Sequence, residues 1–292
     1  MSEGPQEALL DWYSRHRRDL PWRRNPTPYG VLVSEVMLQQ TQVERVIPYY
    51  ESFLRQFPSL AALANADRAD VIRIWGGLGY NRRAAQLHEL ARIVTTEYEG
   101  QLPADREELL RLPGIGPYTA GAVLSIGFGR DEPALDTNVR RVISRYAFGG
   151  LVEESALRDK ARMLVPTGRA ADWNQAVMDL GAQICRSQRP QCLLCPIRAG
   201  CLSAGQQPAR ARKTHREPPF ESTNRYYRGR LLAQLRSLAP GVAAPLTQLS
   251  SELGAQGVAE PPNGWRTLGE ELAQDGLAAI ENLPDGIAMR LA

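Results

Sequence analysis

Four cysteines give this sequence its clearest capacity for binding a metal. Cys185, Cys192, Cys195 and Cys201 follow the spacing C-x6-C-x2-C-x5-C. No secretory signal is visible, and reducing compartments keep thiols free, so a pair of disulfides is disfavoured. Four thiolates in one loop suit a tetrahedral metal or an iron–sulfur cluster. Zinc sites usually pair two C-x2-C knuckles, whereas one knuckle occurs here, so we favour the cluster and keep zinc as the alternative.

Two carboxylates could perform acid–base chemistry. Glu35 lies between Val33 and Val36 in an apolar predicted helix, and such surroundings raise the pKa of a carboxyl group, as a general acid requires. A solvated glutamate on the helix face is the alternative. Asp136 opens the predicted helix NVRRVISRY, whose N-terminus favours an ionised carboxylate. A plain N-cap is the alternative there.

A glycine-containing turn separates two predicted helices in LLRLPGIGPYTAG, residues 109–121. The first helix stops at Pro113, and the second starts near Pro117, because proline is well placed at a first helical position. Gly114 and Gly116 allow close approach of the backbone to a ligand. The turn amides and the helix N-terminus therefore predict an anion site that fits a phosphate diester, with an ordinary turn as the alternative.

The elements that would position these groups are mostly helical. The chain has 292 residues, 43% of them hydrophobic, and a formal net charge of +3, which excludes a disordered chain or a collagen and does not by itself indicate a nucleic-acid partner. No apolar stretch is long enough for a membrane span. Helical periodicity over the first 200 residues predicts an all-α body. Within it, residues 21–30 are predicted as a proline-rich break and residues 30–47 as one helix that ends before Pro48.

The residues after the cysteine loop have a different character. Residues 203–227 are polar and proline-bearing, as in a linker. Beyond them the pattern predicts a winged-helix module, with a helical cap as the alternative. Its predicted elements are helices at 228–238, 246–254 and 265–276 and strands at 277–281 and 286–291. Residues 206–236 carry a charge balance of +6 and residues 237–292 one of −5, so direct DNA binding by the final stretch is disfavoured.

Several motifs, taken together in their order, resemble those of a known family. They are LPWR (20–23), SEVMLQQTQV (34–43), GLGY (77–80), LPGIGPYTAGAVLS (112–125), LDTNVRRV (135–142) and NQAVMDLGAQIC (174–185). With the cysteine spacing, they make residues 5–202 similar to the MutY-type adenine DNA glycosylases of the endonuclease III superfamily.

The resemblance implies an all-α, two-lobed helix–hairpin–helix glycosylase body with a [4Fe–4S] cluster loop. The small winged-helix-like C-terminal domain is predicted from the residue pattern and departs from that of the family. The implied lobes are a six-helix barrel at 24–132, with the helix–hairpin–helix at 107–127, and a cluster lobe formed by 1–23 and 133–202. The basic linker at 203–227 and the C-terminal domain at 228–292 complete the organisation.

The resemblance also implies roles for individual residues. Glu35 protonates the departing adenine, Asp136 stabilises or attacks the sugar, and Asn138 orients a water or the carboxylate. Arg23 lies near Glu35 and the flipped nucleotide. Tyr118 stands where strand-cleaving relatives carry a lysine, which implies a monofunctional glycosylase. The residues implied in DNA or base binding are Trp22, Leu38, Gln40, Gln42, Tyr80, Gly114, Ile115, Gly116, Thr119 and Gln175.

The expected partner is double-stranded DNA with adenine opposite 8-oxoguanine or guanine, bound by a monomer in a bacterial cytoplasm, near the nucleoid and away from membranes. Many family members carry a Nudix-like C-terminal domain that recognises 8-oxoguanine opposite the adenine. The tail here does not resemble such a domain, which puts strong discrimination between 8-oxoguanine and guanine in doubt. The basic linker residues expected at the distal strand are Arg210, Arg212, Lys213, His215 and Arg216. A glycosylase for T or U opposite G, and a non-catalytic iron–sulfur DNA-binding protein, are the alternatives.

Overall fold

The computed structural model describes residues 4–206 and 218–292, which divide into two compact units. The first unit contains the described parts of Met1–Val36 and Leu102–Arg212. The second contains the described parts of Met37–Gln101 and Lys213–Ala292. The five basic residues predicted to contact the distal strand lie outside the described residues.

The described helices and strands occur in the following order. The α-helices are α1 (Pro5–His16), α2 (Pro21–Arg24), α3 (Pro28–Leu38), α4 (Val43–Gln56), α5 (Leu60–Ala64), α6 (Arg68–Trp75), α7 (Arg82–Glu97), α8 (Arg106–Arg111), α9 (Pro117–Ala122), α10 (Thr137–Ile143), α11 (Glu154–Leu164), α12 (Ala170–Gln183), α13 (Asn224–Ser237), α14 (Leu246–Ala255) and α15 (Gly264–Gln274). The strands are β1 (Ala244–Pro245), β2 (Ala278–Leu283) and β3 (Gly286–Leu291).

The boundaries of the two units do not coincide with the implied lobes. The range 24–132 is divided: residues 24–36 and 102–132 belong to the first unit, and 37–101 to the second. Helix α3 packs closely on the later residues of the first unit. A Cβ at Gly127 would lie only 2.8 Å from Pro28 Cα. The lobe assignment itself stays a prediction.

The predicted single helix over 30–47 is wrong. Helix α3 ends at Leu38, Gln40 takes a left-handed backbone conformation (φ 55°), and α4 starts at Val43. Pro48 lies inside α4 rather than ending it. Burial of Val46 on α4 and of its later apolar residues outweighs the backbone hydrogen bond that a proline removes. The proline-rich break at 21–30 also contains helix α2 and the start of α3.

The helix–hairpin–helix follows the prediction. Asp105 caps α8 through hydrogen bonds from the Glu107 and Glu108 amides at 2.8 and 3.0 Å. Gly114 then reverses the chain with a left-handed backbone (φ 81°), and α9 begins at Pro117. Helix α9 continues into a wider π-helical turn at Val123–Gly127. The prediction of an all-α body with a small C-terminal domain is confirmed.

The C-terminal domain has three helices and a three-stranded antiparallel sheet of order β1-β3-β2. Its core is apolar and includes Leu231, Leu249, Leu268 and Met289, all fully or nearly fully buried. Helix α13 begins four residues before the predicted 228, because the Thr223 side chain accepts a hydrogen bond from the Tyr226 amide. The linker is therefore shorter than predicted. None of the described helices is long and apolar enough to cross a membrane.

Candidate active site

Glu35 is the most strongly perturbed carboxyl group of the first unit. It lies on α3 among Val33, Ser34 and Val36, and only 6% of it is exposed. Burial raises its pKa from 4.5 to about 7, and the nearby charge of Asp136 contributes in the same direction. A hydrogen bond from Tyr118 and the charge of Arg23 oppose this shift. At neutral pH, a large fraction of Glu35 is thus protonated and able to donate a proton.

Tyr118 belongs to the second helix of the hairpin. Its hydroxyl group donates a hydrogen bond to Glu35 Oε2. Burial, followed by the charge of Glu35, raises the pKa of Tyr118 well above 10, so the phenol stays protonated. The hairpin therefore supplies a permanent hydrogen-bond donor to the carboxyl group on α3.

Asp136 is the N-cap of α10, where Oδ1 accepts a hydrogen bond from the Val139 amide at 2.6 Å. The other oxygen accepts one from Asn138 Nδ2 at 3.0 Å. Burial raises the pKa of Asp136 although these hydrogen bonds lower it. The helix N-terminus thus favours the ionised form of Asp136, as its capping position suggests, and burial opposes it.

Two glycines bring the neighbouring helices close to this carboxylate. A Cβ at Gly181 of α12 would lie 2.7 Å from Asn138 Cβ, and one at Gly121 of α9 would lie 2.3 Å from the Pro133 carbonyl oxygen. Arg141 also holds Asn138, through Nη2 to Oδ1 at 2.8 Å, and the same nitrogen donates to the Gly181 carbonyl at 2.8 Å. Close packing and these hydrogen bonds therefore hold Asp136 and Asn138 in place.

Asn174 positions the segment that leads to Asp136. Its Oδ1 accepts a hydrogen bond from the Ala134 amide at 3.0 Å. Its Nδ2 donates to the Glu132 carbonyl at 2.8 Å and to Ser125 Oγ at 2.9 Å. Asn174 and Ser125 are buried, so this network ties α12, the end of the hairpin and the Asp136 segment together.

Arg23 is held by a partner that sequence reasoning missed. Asp179 of α12 is fully buried and pairs with Arg23 through two hydrogen bonds of 2.7 and 3.0 Å. Arg18 adds a third at 2.8 Å. Burial opposes ionisation of Asp179, but the hydrogen bonds and charges of the two arginines outweigh it and lower its pKa. Asp179 lies four residues after Gln175 in the quoted motif NQAVMDLGAQIC. Its place within this motif is the one feature of the sequence that indicates a functional role for it.

The remaining first-unit residues predicted to bind DNA are mostly buried. Ile115 and Thr119 have side chains in the core, which leaves their backbone for any contact with DNA. Trp22 is 6% exposed and Gln175 is 8% exposed. Gln175 donates to the Ala171 carbonyl at 3.2 Å. Trp22 is thus buried as a core residue would be.

The cysteine loop brings its four thiols to one small cavity of about 30 Å³. All four cysteines are free and partly buried. Arg145 donates to Cys185 Sγ at 3.4 Å, and Arg198 also lines the cavity. Among the described residues, no group of three or more His, Cys, Asp or Glu is arranged to hold a metal ion. The donor set, four thiols with adjacent arginines, fits a negatively charged thiolate-ligated cluster.

The other predicted DNA-binding residues belong to the second unit. Leu38 is half-buried at the end of α3, and Gln42 is exposed at the N-cap of α4. Gln40 and Tyr80 are exposed, and both have left-handed backbones, with φ of 55° and 46°. This conformation is costly for residues other than glycine and persists where surrounding contacts enforce it.

Arg83 supplies those contacts, a role that no motif in the sequence indicates. It is 7% exposed on α7. Its guanidinium donates to the Gln39 carbonyl at 2.6 Å and to the Gly79 carbonyl at 3.0 Å. Its Nε donates to the Tyr80 carbonyl at 3.3 Å. Burial lowers the pKa of Arg83 to about 10, which leaves it charged at neutral pH.

Comparison with known proteins agrees with this arrangement. A family model described as "HhH-GPD superfamily base excision DNA repair protein" matches residues 33–166. The adenine DNA glycosylase of Mycolicibacterium smegmatis is 40% identical over 98% of this chain and 95% of the relative. That of Mycobacterium tuberculosis H37Rv is 41% identical over 78% of this chain and 77% of the relative. The solved structure of a thermostable thymine-DNA glycosylase has a TM-score of 0.65 and 34% identity over 68% of this chain and 94% of that one.

The chain therefore belongs to the HhH-GPD superfamily of base excision DNA repair proteins, and within it to the adenine DNA glycosylase family. The predictions of a DNA N-glycosylase and of DNA binding are confirmed.

Proposed function

We propose that this chain hydrolyses the N-glycosidic bond of adenine mispaired with 8-oxoguanine or guanine in duplex DNA. It acts as a monomer in the bacterial cytoplasm, near the nucleoid. The observation that carries the proposal is Glu35, a buried carboxyl group with a pKa of about 7, held by Tyr118. The relatives named adenine DNA glycosylase support the choice of base.

The first step is protonation of the leaving base. Adenine must leave the base stack before its glycosidic bond can be reached. Glu35 donates its proton to a ring nitrogen of adenine as the bond between the sugar and the base breaks. The bonding electron pair stays with adenine, which departs neutral. The raised pKa of Glu35 supports this role, because a fully ionised carboxylate has no proton to donate.

The second step is capture of the sugar cation by water. The Asp136 carboxylate stabilises the positive charge that develops on the sugar, as the second carboxylate of a glycoside hydrolase does. Water then adds to the sugar, and its proton passes to the Glu35 carboxylate, which restores the acid. Asn138 positions Asp136 through its hydrogen bond at 3.0 Å. The products are free adenine and an abasic site.

The reaction ends without cleavage of the DNA strand. An amine is required for the imine intermediate of a strand-cleaving glycosylase. Position 118, beside the general acid, holds a tyrosine whose phenol is bonded to Glu35. We therefore expect little borohydride-trapped adduct between the enzyme and DNA.

Cys185, Cys192, Cys195 and Cys201 are proposed as the ligands of a [4Fe–4S] cluster. When bound, such a cluster ties the cysteine loop to a single rigid centre. Burial raises the pKa of the Cys195 thiol to about 11, so a bound cation is needed to keep it a thiolate at neutral pH. Analysis of iron, sulfide and zinc in the purified protein tests the assignment. Iron and sulfide in equal amounts support the cluster, and stoichiometric zinc contradicts it.

A second candidate function is removal of thymine or uracil opposite guanine. The similarity to the thymine-DNA glycosylase structure, at 34% identity, favours it specifically. The same acid and carboxylate could serve a pyrimidine, so Glu35 and Asp136 do not separate the two functions.

A panel of duplexes distinguishes them. The purified protein is incubated with A opposite 8-oxoguanine, A opposite G, T opposite G and U opposite G, and the DNA is then treated with alkali. Cleavage at adenine alone supports the proposal, and cleavage at T or U alone supports the second candidate. Glu35→Gln is the inactive control, and it should still bind the duplex that the wild type cleaves.

A further inference from the structure

Arg225 on α13 contacts Tyr80 through a hydrogen bond and through a cation–π interaction. Its Nη1 donates to the Tyr80 hydroxyl at 2.7 Å. Its guanidinium also lies 4.4 Å from the centroid of the Tyr80 ring, within cation–π distance. Both residues belong to the second unit. The C-terminal domain is therefore attached directly to the side chain of an exposed loop residue.

The loop that contains Tyr80 is held through the backbone and through the ring of this residue. Arg83 donates to the Tyr80 carbonyl at 3.3 Å and lies 5.5 Å from the ring centroid. The backbone of Tyr80 is left-handed. Without contacts from other residues, the loop would adopt a less strained backbone conformation. Arg83 fixes the backbone, whereas Arg225 fixes the hydroxyl at the tip of the ring.

These residues border an open groove of about 830 Å³, which we call the Tyr80 groove. Its lining combines amide side chains, the exposed rings of Tyr80 and Phe220, and basic residues. The residues that line the groove include Gln39, Gln40, Tyr80, Arg45, Arg82 and Arg225. Asp275 is the acidic residue among those that line it, and it pairs with Arg228 and Arg82.

The chemistry of the groove matches a DNA strand. Basic side chains attract the phosphates, an exposed ring stacks on a base, and amides bind base edges. Of the four arginines on α13, all of them described, Arg228 is paired with acids, Arg230 bonds Gln256 and Arg236 bonds Asn81. Arg225 is the one of these four that contacts Tyr80.

We propose that the C-terminal domain positions Tyr80 through Arg225, and that Tyr80 so held binds the DNA strand in the Tyr80 groove. Arg225 is a positioning residue, which acts on DNA through Tyr80. This inference rests on the proposed function insofar as the bound strand belongs to the duplex that the glycosylase acts on. It assigns the C-terminal domain a role that does not require the acidic end of the chain to touch DNA.

A double-mutant cycle in the full chain tests the inference. Binding is measured with the Glu35→Gln protein and a duplex that contains A opposite 8-oxoguanine. Arg225→Met should weaken binding about 5- to 10-fold, the range expected for a lost cation–π contact and hydrogen bond. Arg225→Lys should restore part of it. In a Tyr80→Leu background, Arg225→Met should have no further effect on DNA binding, because Arg225 acts on DNA through Tyr80. Its other ring contact, with Phe220 at 5.4 Å, is lost in Arg225→Met in both backgrounds.

Arg266→Met is the matched control, since Arg266 pairs with Glu270 on α15 and does not line the groove. If Arg225 instead contacts a phosphate directly, the effects of Arg225→Met and Tyr80→Leu multiply, and Arg225→Met lowers the salt dependence of binding. That result overturns the proposal.

Hydrogen exchange of the free protein separates this inference from the proposed function. Arg225→Met should increase exchange over residues 77–83, whereas Arg266→Met should not. Unchanged exchange contradicts the positioning role even if adenine is released normally. Increased exchange supports it even if the chain proves to release a different base.

Discussion

The Tyr118 hydroxyl donates a hydrogen bond to Glu35 Oε2, which joins the helix–hairpin–helix to the proposed general acid. The pKa of Glu35 results from opposing effects. Burial raises it, and the hydrogen bond from Tyr118 lowers it, with the outcome at about 7. A hairpin that is expected to contact DNA thus also adjusts the acid.

Replacement of Glu35 by glutamine should stabilise the protein at alkaline pH. The folded pKa of about 7 lies above the ordinary 4.5. Stability from the protonated form is complete below the ordinary pKa and is lost as pH rises through 7. Glutamine stays neutral, so the variant should gain about 3 kcal/mol over the wild type at about pH 8 and little at about pH 4. Urea unfolding at both pH values measures this.

The exposed Glu44 on α4 provides the control for that experiment. Glu44→Gln should have the same small effect at both pH values. An effect of Glu35→Gln that does not depend on pH would show that burial leaves the ionisation of this carboxyl group unchanged.

Alanine at Gly181 should displace Asn138. The added Cβ would lie 2.7 Å from Asn138 Cβ and 3.3 Å from its Cα. We expect a loss of about 1–3 kcal/mol in the free energy of unfolding and slower adenine release, because helices α10 and α12 must separate. Thermal unfolding and single-turnover assays measure the two effects.

Gly254→Ala is the matched substitution, since no neighbouring described atom lies within 4 Å of the added Cβ. It should leave activity unchanged and stability equal or slightly higher. Equal behaviour of the two alanine variants would contradict the close packing of Gly181 on Asn138.

Replacement of Asp179 by asparagine should be strongly destabilising. The change leaves the largely buried Arg23 without its charged partner. Removal of one partner from a buried ion pair costs about 3–5 kcal/mol. Asp19→Asn, which breaks an exposed pair with Arg24, should cause no measurable loss. Similar midpoints of denaturation for the two variants would contradict a structural role for Asp179.

Local signals predicted much of the helical body. Asp105 and Asp136 are acceptors at helix N-termini, and Pro117 begins α9, so these boundaries could be read from residue type alone. The apolar neighbours of Glu35 likewise indicated its raised pKa. These features depend on residues close together in the chain.

Features that depend on distant residues could not be predicted in the same way. The helix interrupted at Gln40 and the proline inside α4 follow from tertiary burial, which overrides local propensity. The partnership of Arg23 with Asp179 joins residues 156 positions apart. The burial that raises the pKa of Asp136 likewise arises from packing, which a favourable capping position did not reveal.

The most direct test of the central claim is the rate of adenine release under single-turnover conditions as a function of pH. If Glu35 is the general acid, the wild-type rate falls as pH rises through about 7. Tyr118→Phe removes a hydrogen bond that lowers the pKa of Glu35, so the fall should move to higher pH. Tyr98→Phe, at the end of α7, should leave it in place. Glu35→Gln should be slower by about 10²- to 10⁴-fold, without this alkaline limb. A fall at the same pH in Tyr118→Phe and wild type, or one that moves to lower pH, would contradict the account.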